Sequence, residues 1–124
     1  MTEEAQLHFQ RAAECVEDSR ILLDNNRPAA SVTRAYYAMF HAATAVLASK
    51  DIRRSSHSGI LSAFAEYLVK PGLIKKEFHT YLREAFELRQ QTDYDPIVDI
   101  NIYQAKETLE QAIDFVDACR KLCK

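Results

Sequence analysis

The segment SVTRAYYAMFHAATAVL, residues 31–47, decides the fold class of this 124-residue chain. It contains neither glycine nor proline, so nothing in it interrupts a helix. Its alanines let a neighbouring backbone come close, while its tyrosines, phenylalanine and methionine are large enough to fill the space between helices. The segment therefore predicts the central helix of a bundle, extending over about residues 28–49.

Four further segments complete the predicted bundle. Apolar residues recur with a period near 3.6 in residues 3–24, 58–69, 74–91 and from 101 to the C-terminus. Proline, glycine, asparagine, aspartate or serine fill the breaks between them, as in DNNRP (24–28) and KPG (70–72). We predict one all-α domain over residues 1–124, an antiparallel four-helix bundle with one additional shorter helix.

Composition excludes several classes of function. The net charge of −2 and the pI near 6.1 provide no global field that would attract nucleic acid, so phosphate binding requires a local patch. No apolar run reaches the roughly 18 residues of a membrane span. An acidic N-terminus and three cysteines favour a cytoplasmic protein. No Glu-x-x-His or His-x-x-x-His pair is present, so neither a metal nor a cofactor is expected.

Helix two carries a first polar set, Arg34, Tyr37 and His41. Arg34 and His41 are seven residues apart and so lie on one helix face, about 10.5 Å from each other. The functional interpretation is a polar cleft where helices two and four meet. The structural interpretation is that Arg34 pairs with a carboxylate and His41 is a satisfied core imidazole.

A second polar set, Arg89, Asp93 and Tyr94, ends helix four. A cation in a last turn is favoured by the helix dipole, and aspartates before proline form turns, which together give a structural explanation. In the functional interpretation Arg89 and Tyr94 project toward a phosphate-bearing ligand, with the guanidinium as a fork for the phosphodiester.

The third set, Arg53, Arg54 and His57, lies in RRSSHSG at the start of helix three. Free backbone N–H groups at a helix N-terminus favour anions, which makes this set a candidate phosphate or RNA contact. A solvated loop with a serine cap is the commoner meaning of such a sequence.

Three segments, RAYYAMFHAATAVL, SHSGILSAF and AFELRQQTDYD, together resemble the small standalone HEPN-domain proteins of prokaryotes, over about residues 5–120. The resemblance implies an all-helical domain, a homodimer, and a gene beside a minimal nucleotidyltransferase in a toxin-antitoxin-like pair. Many HEPN proteins are metal-independent ribonucleases whose arginine and histidine, four to six residues apart, form one cleft from both subunits.

That motif has two possible positions in this sequence. Arg34 and His41 have the spacing but lie in the second helix, whereas the family motif belongs near the end of a later helix. Arg89 is in the expected place, but the histidine position holds Tyr94, preceded by Asp93. A phenol with a pKa near 10 transfers protons poorly at neutral pH, so His41 or His57 would have to supply the imidazole. In some HEPN pairs the partner nucleotidyltransferase modifies a tyrosine beside the motif, and Tyr94 matches that position.

Two functions follow as expectations. The first is an endoribonuclease of a toxin-antitoxin-like module with Arg89, Tyr94, His41 and Arg34 as catalytic candidates; Arg53, Arg54, His57, Asp93 and Tyr37 would contact RNA or phosphate. The second is a non-catalytic subunit that binds a nucleotide or a minimal nucleotidyltransferase, favoured by the missing histidine. A wholly structural role for all three sets is the third interpretation.

Overall fold

The computed structural model describes residues 1–123 and contains five α-helices. They are α1 (Glu3–Asp24), α2 (Pro28–Ser49), α3 (His57–Phe64), α4 (Lys76–Tyr94) and α5 (Ile102–Leu122), and α3 continues as a π-helical segment over Ala65–Val69. No strand occurs in residues 1–123. The all-α bundle with one shorter helix is confirmed.

Helices α1 and α2 form an antiparallel hairpin. Asn26 adopts the left-handed conformation that ends a helix (φ 58°), and Pro28 begins the next one, where its missing N–H costs nothing. Ser19 pairs with Ser31 and His8 with His41, so residue numbers rise on one helix as they fall on the other. The short DNNRP connection therefore places these two helices side by side along their length.

Helix α2 is the centre of the molecule, as residues 31–47 predict. Its alanines at 35, 38, 42, 43 and 45 are fully buried and allow α1, α4 and α5 to pack around it. The large buried side chains, Phe9, Tyr36, Met39, Phe64 and Phe115, come from four different elements and fill the remaining space. Burial of this apolar surface is the main source of stability.

The start of α3 is fixed by a serine cap. The Ser56 hydroxyl accepts the Gly59 backbone N–H at 2.9 Å. A Cβ at Gly59 would lie 2.9 Å from that hydroxyl oxygen and 3.1 Å from the Arg54 Cβ, so only glycine allows the cap to sit this close. As a result His57, the first residue of α3, has a defined position relative to α2.

Helix α4 ends later than predicted. It runs to Tyr94 rather than Gln91, because Pro96 restricts only the residue before it, and Asp95 is indeed extended (φ −122°, ψ 104°). The expectation that Arg89 lies in the last turn is therefore wrong. Arg89 has a full helical turn after it, which brings Asp93 onto its face.

Candidate functional site

Two guanidinium groups converge on the tyrosines of α2. The Arg34 Cζ lies 4.9 Å from the centroid of the Tyr37 ring, and the Arg89 Cζ lies 5.5 Å from the same centroid. Arg89 is also 5.9 Å from the centroid of Tyr36. Cations are attracted to the electron-rich faces of aromatic rings, so Tyr37 contacts both arginines and Tyr36 contacts Arg89.

The guanidinium of Arg89 is mostly enclosed, with 18% of the side chain exposed. Asp93 Oδ2 lies 2.9 Å from its Nε, one helical turn further along α4. The contact lacks hydrogen-bond geometry, so the buried Nε–H has no hydrogen-bond acceptor within residues 1–123. Arg89 is thus held in place by an ion pair with Asp93.

His57 joins this place from α3. Its Nδ1 is hydrogen-bonded to the Tyr36 hydroxyl at 2.5 Å, and its ring stacks on Phe40 with centroids 4.5 Å apart. Burial, and then the nearby charge of Arg89, lower the pKa of His57 below its ordinary value. We call Arg34, Tyr36, Tyr37, His57 and Arg89 the Arg89 cluster.

The other helix-two histidine lies elsewhere. His41 Nδ1 is 3.1 Å from His8 Nδ1, so His41 faces α1 and not α4. Burial lowers the pKa of His41 to about 4, followed by the charges of His8, Arg11 and Arg34. The expectation that His41 lines a cleft between helices two and four is wrong, because the α1 helix packs over the face that carries it.

The basic residues of the loop before α3 contact different parts of the molecule. Arg53 binds the Glu4 carboxylate, with 3.0 Å between its Nη2 and Oε1, and also pairs with Asp51. The Arg54 guanidinium donates to the Arg53 carbonyl at 2.7 Å and lies 6.0 Å from the Tyr67 ring. Of this predicted set, only His57 enters the Arg89 cluster.

Tyr94 is not part of the Arg89 cluster. It is 79% exposed at the last residue of α4 and shares the connection to α5 with exposed Ile97. Tyr94 is accessible to a partner, whereas Arg89 on the same helix is enclosed.

Sequence reasoning missed Tyr36 as a member of the site. Its position inside an alanine-rich core segment gave no sign that its hydroxyl meets an imidazole 21 residues further along the chain. The useful signal was present, since a buried tyrosine hydroxyl needs a hydrogen-bond partner.

A groove between α4 and α5 lies outside this site. It has a volume of about 410 Å³, and its lining includes Glu84, Glu87 and Glu107 but neither lysine nor arginine. Such a surface repels phosphate, so the Arg89 cluster is the better candidate for an anionic ligand.

The sequence of this chain is similar to a known protein family. The HEPN domain model matches residues 5–123. The chain belongs to the HEPN domain family. A UPF0332 protein of Thermotoga maritima is 38% identical over 91% of this chain and 86% of its own length. Two Methanocaldococcus jannaschii proteins named "Putative toxin" are each 31% identical; the alignments cover 91% and 98% of this chain, and 77% and 90% of theirs.

Within this HEPN domain the Arg89 cluster combines two permanent cations, two phenols and an imidazole, and Asp93 pairs with Arg89 beside it. Arginine stays charged at any physiological pH and offers a planar fork of donors that matches a phosphate. A partly enclosed imidazole beside it hydrogen-bonds to the same anion or moves a proton near neutral pH. The arrangement therefore suits recognition of a phosphodiester.

Proposed function

We propose that this HEPN domain is the toxin-like component of a toxin-antitoxin-like module and cleaves RNA without a metal ion. Arg89 and Arg34 bind the phosphodiester, and the His57 imidazole hydrogen-bonds to it. One observation carries the proposal: Arg89 and His57 both lie against Tyr36 and Tyr37, with ring centroids of the tyrosines 5.7 and 5.9 Å from that of His57. The two relatives named as toxins support the module.

The chemistry of RNA cleavage explains why these groups matter together. The 2′-oxygen attacks phosphorus and its proton passes to water, while the bond to the 5′-oxygen breaks and that oxygen takes a proton from water. Negative charge builds up on the phosphate oxygens during this step, and a preorganised guanidinium stabilises it. Arg89 is preorganised by Asp93 and the tyrosine rings, and His57 is the one histidine of the Arg89 cluster.

Exposed Tyr94 favours a second candidate function. It occupies the position of the motif histidine and is accessible from solvent. A non-catalytic subunit that binds a nucleotide, or that works with a minimal nucleotidyltransferase acting on Tyr94, would need that exposure. In both candidate functions we propose a homodimer, with exposed Ile97 of the α4–α5 connection at the interface.

A cleavage assay distinguishes the two candidates. Purified protein is incubated in EDTA with a pool of transfer and messenger RNA, beside Arg89→Ala and His57→Ala variants of unchanged circular dichroism. Arg83→Ala is the matched control, because Arg83 is exposed on the same helix and pairs with Glu87. We expect cleavage by the wild type and by Arg83→Ala, and a loss of at least about 100-fold in the other two. No cleavage by the wild type at several concentrations would overturn the nuclease proposal and favour the binding subunit.

A further inference from the structure

We propose that Tyr36 is a positioning residue for His57. Its hydroxyl donates to Nδ1 of His57, so that Nε2 carries the ring proton and is the atom offered to a phosphate oxygen. The inference rests on the proposed function, since it assigns a donor atom to the imidazole of that site. It adds a residue that neither the motif nor the sequence patterns indicate.

The Tyr36 hydroxyl needs a partner because the residue is 1% exposed. Its ring is enclosed by Tyr37, Phe40 and Phe86, with centroids 5.2 to 6.2 Å away. In residues 1–123 the hydroxyl has one hydrogen-bond partner, His57 Nδ1. Burial raises the pKa of Tyr36, so the phenol keeps its proton and has it to donate.

The neutral form of His57 provides the matching acceptor. A neutral imidazole has one N–H and one bare nitrogen, and a hydroxyl that donates to Nδ1 requires the bare nitrogen there. Burial and the charge of Arg89 favour this neutral ring. The proton is then on Nε2, at the opposite side of the ring.

Aromatic contacts fix the ring plane as well as the tautomer. The His57 ring is nearly parallel to Phe40 (19°), Tyr36 (22°) and Phe86 (24°). The Ser56 cap fixes the backbone of the same residue. The ring plane, the tautomer and the backbone of His57 are therefore all fixed, and the Nε2–H bond points in one direction. A ligand that accepts this hydrogen bond does not have to pay the entropy of ordering the ring.

The tautomer also limits what His57 can do. A neutral ring protonated at Nε2 donates a hydrogen bond there and cannot accept a proton at that atom. In the resting site His57 is therefore a donor to a phosphate oxygen, acting beside Arg89, and not the base that takes the 2′-hydroxyl proton.

Nitrogen-15 NMR tests the assignment without any assay of activity. Two-bond ¹⁵N–¹H correlations on histidine-labelled protein at pH 7.5 distinguish the two neutral tautomers, and a His57→Gln variant assigns the signal among four histidines. We expect the Nε2–H pattern for His57 in the wild type, a mixture of tautomers in Tyr36→Phe, and the wild-type pattern in Tyr37→Phe. An Nδ1–H pattern in the wild type, or an unchanged pattern in Tyr36→Phe, would overturn the inference. The wild-type spectrum decides even where Tyr36→Phe does not fold.

Kinetics then separate this inference from the nuclease proposal. With RNA as the probe, Tyr36→Phe should lower kcat about tenfold with little change in KM, a smaller loss than that of His57→Ala. Full kcat in Tyr36→Phe would overturn the positioning role. An Nε2–H spectrum in a wild type that cleaves no RNA would support the tautomer and overturn the nuclease activity.

Discussion

At the scale of single residues, the two histidines of greatest interest have opposite surroundings. His57 lies against tyrosines and one arginine, while His41 pairs with His8 and has Arg11 and Arg34 nearby. A helical spacing rule could place Arg34 and His41 on one face, but it could not tell which helix would cover each end of that face. The packing of α1 over His41 decides this, and packing is a property of the whole chain.

The His41 environment predicts acid sensitivity. The pKa of His41 is about 4 in the folded protein and near 6.5 in the unfolded chain, so the unfolded chain binds more protons between those pH values. With respect to His41, the free energy of unfolding should be highest above pH 6.5 and should fall as the pH drops toward 4. The contribution of this half-buried group is about 2 kcal/mol. Urea denaturation between pH 7.5 and 4.5 measures it.

A His41→Phe variant is the control for that measurement. Its ring fills similar space and does not titrate, so its stability should depend less on pH than that of the wild type. An identical pH dependence in the two proteins would contradict the role of His41.

The Arg89–Asp93 pair shows what the sequence could predict about the site and what it could not. The sequence identifies Arg89 by its place in helix four, but a helix that ends at Gln91 does not reveal the i,i+4 relation to Asp93. Tyr36 was hidden for a different reason, since its partner, His57, comes from a distant segment. Local sequence patterns therefore predict Arg89, whereas the residues around it are set by tertiary contacts that these patterns do not show.

At the scale of elements, most helix boundaries follow from local chemistry. Asn26, Pro28, Ser56 and Asn101 end or begin helices where the sequence predicted breaks. The π-helical turn at Ala65–Val69 could not be predicted, because its one buried residue, Leu68, also fits the apolar stripe of an α-helix. In it the Lys70 N–H donates to the Ala65 carbonyl at 2.9 Å, before Pro71 ends the ladder.

The serine pair between α1 and α2 gives a prediction about elements. Each hydroxyl donates to the backbone carbonyl of the other residue, Ser19 to Ser31 at 2.8 Å and Ser31 to Ser19 at 2.9 Å, in a fully buried contact. Ser19→Ala or Ser31→Ala alone should lower the free energy of unfolding by about 1 to 2 kcal/mol. The double variant should lose less than the sum, because the contact is shared.

Chemical denaturation measures this cycle, with Ser62→Ala on the exposed face of α3 as the matched control. Strictly additive losses would show that the two hydroxyls contribute independently.

The start of α3 gives a second prediction at this scale. Gly59→Ala adds a methyl group 2.9 Å from the Ser56 hydroxyl oxygen and 3.1 Å from the Arg54 Cβ. The cap must therefore open, which should cost about 1 kcal/mol of stability and displace His57. Thermal unfolding, compared with Ser62→Ala on the exposed face of α3, checks the stability; a variant as stable as the wild type would contradict a tight cap.

At the scale of the whole molecule, the fold leaves apolar side chains exposed close to one connection. Ile97 is 87% exposed and Tyr103 is 80% exposed, near equally exposed Tyr94. Among residues 1–123, no helix is both long and apolar enough to cross a membrane. Exposed aromatic and aliphatic side chains gathered at one place are typical of protein interfaces.

The proposed homodimer makes this surface testable. Ile97→Asp should shift the protein from dimer to monomer in sedimentation velocity, because a carboxylate would lose hydration in an apolar interface. Leu7→Asp is the matched control, since Leu7 is exposed on α1 in another part of the molecule. A monomeric wild type, or a dimer that Ile97→Asp leaves intact, would contradict this interface.

The most direct test of the central claim is a double-mutant cycle on RNA cleavage in EDTA, with Arg89→Ala, His57→Ala and the combined variant. Residues that act on one phosphate in one site are not additive, so the double variant should be no more than a few-fold slower than the slower single variant. Rate losses that multiply fully would show that Arg89 and His57 act independently and would contradict a shared site.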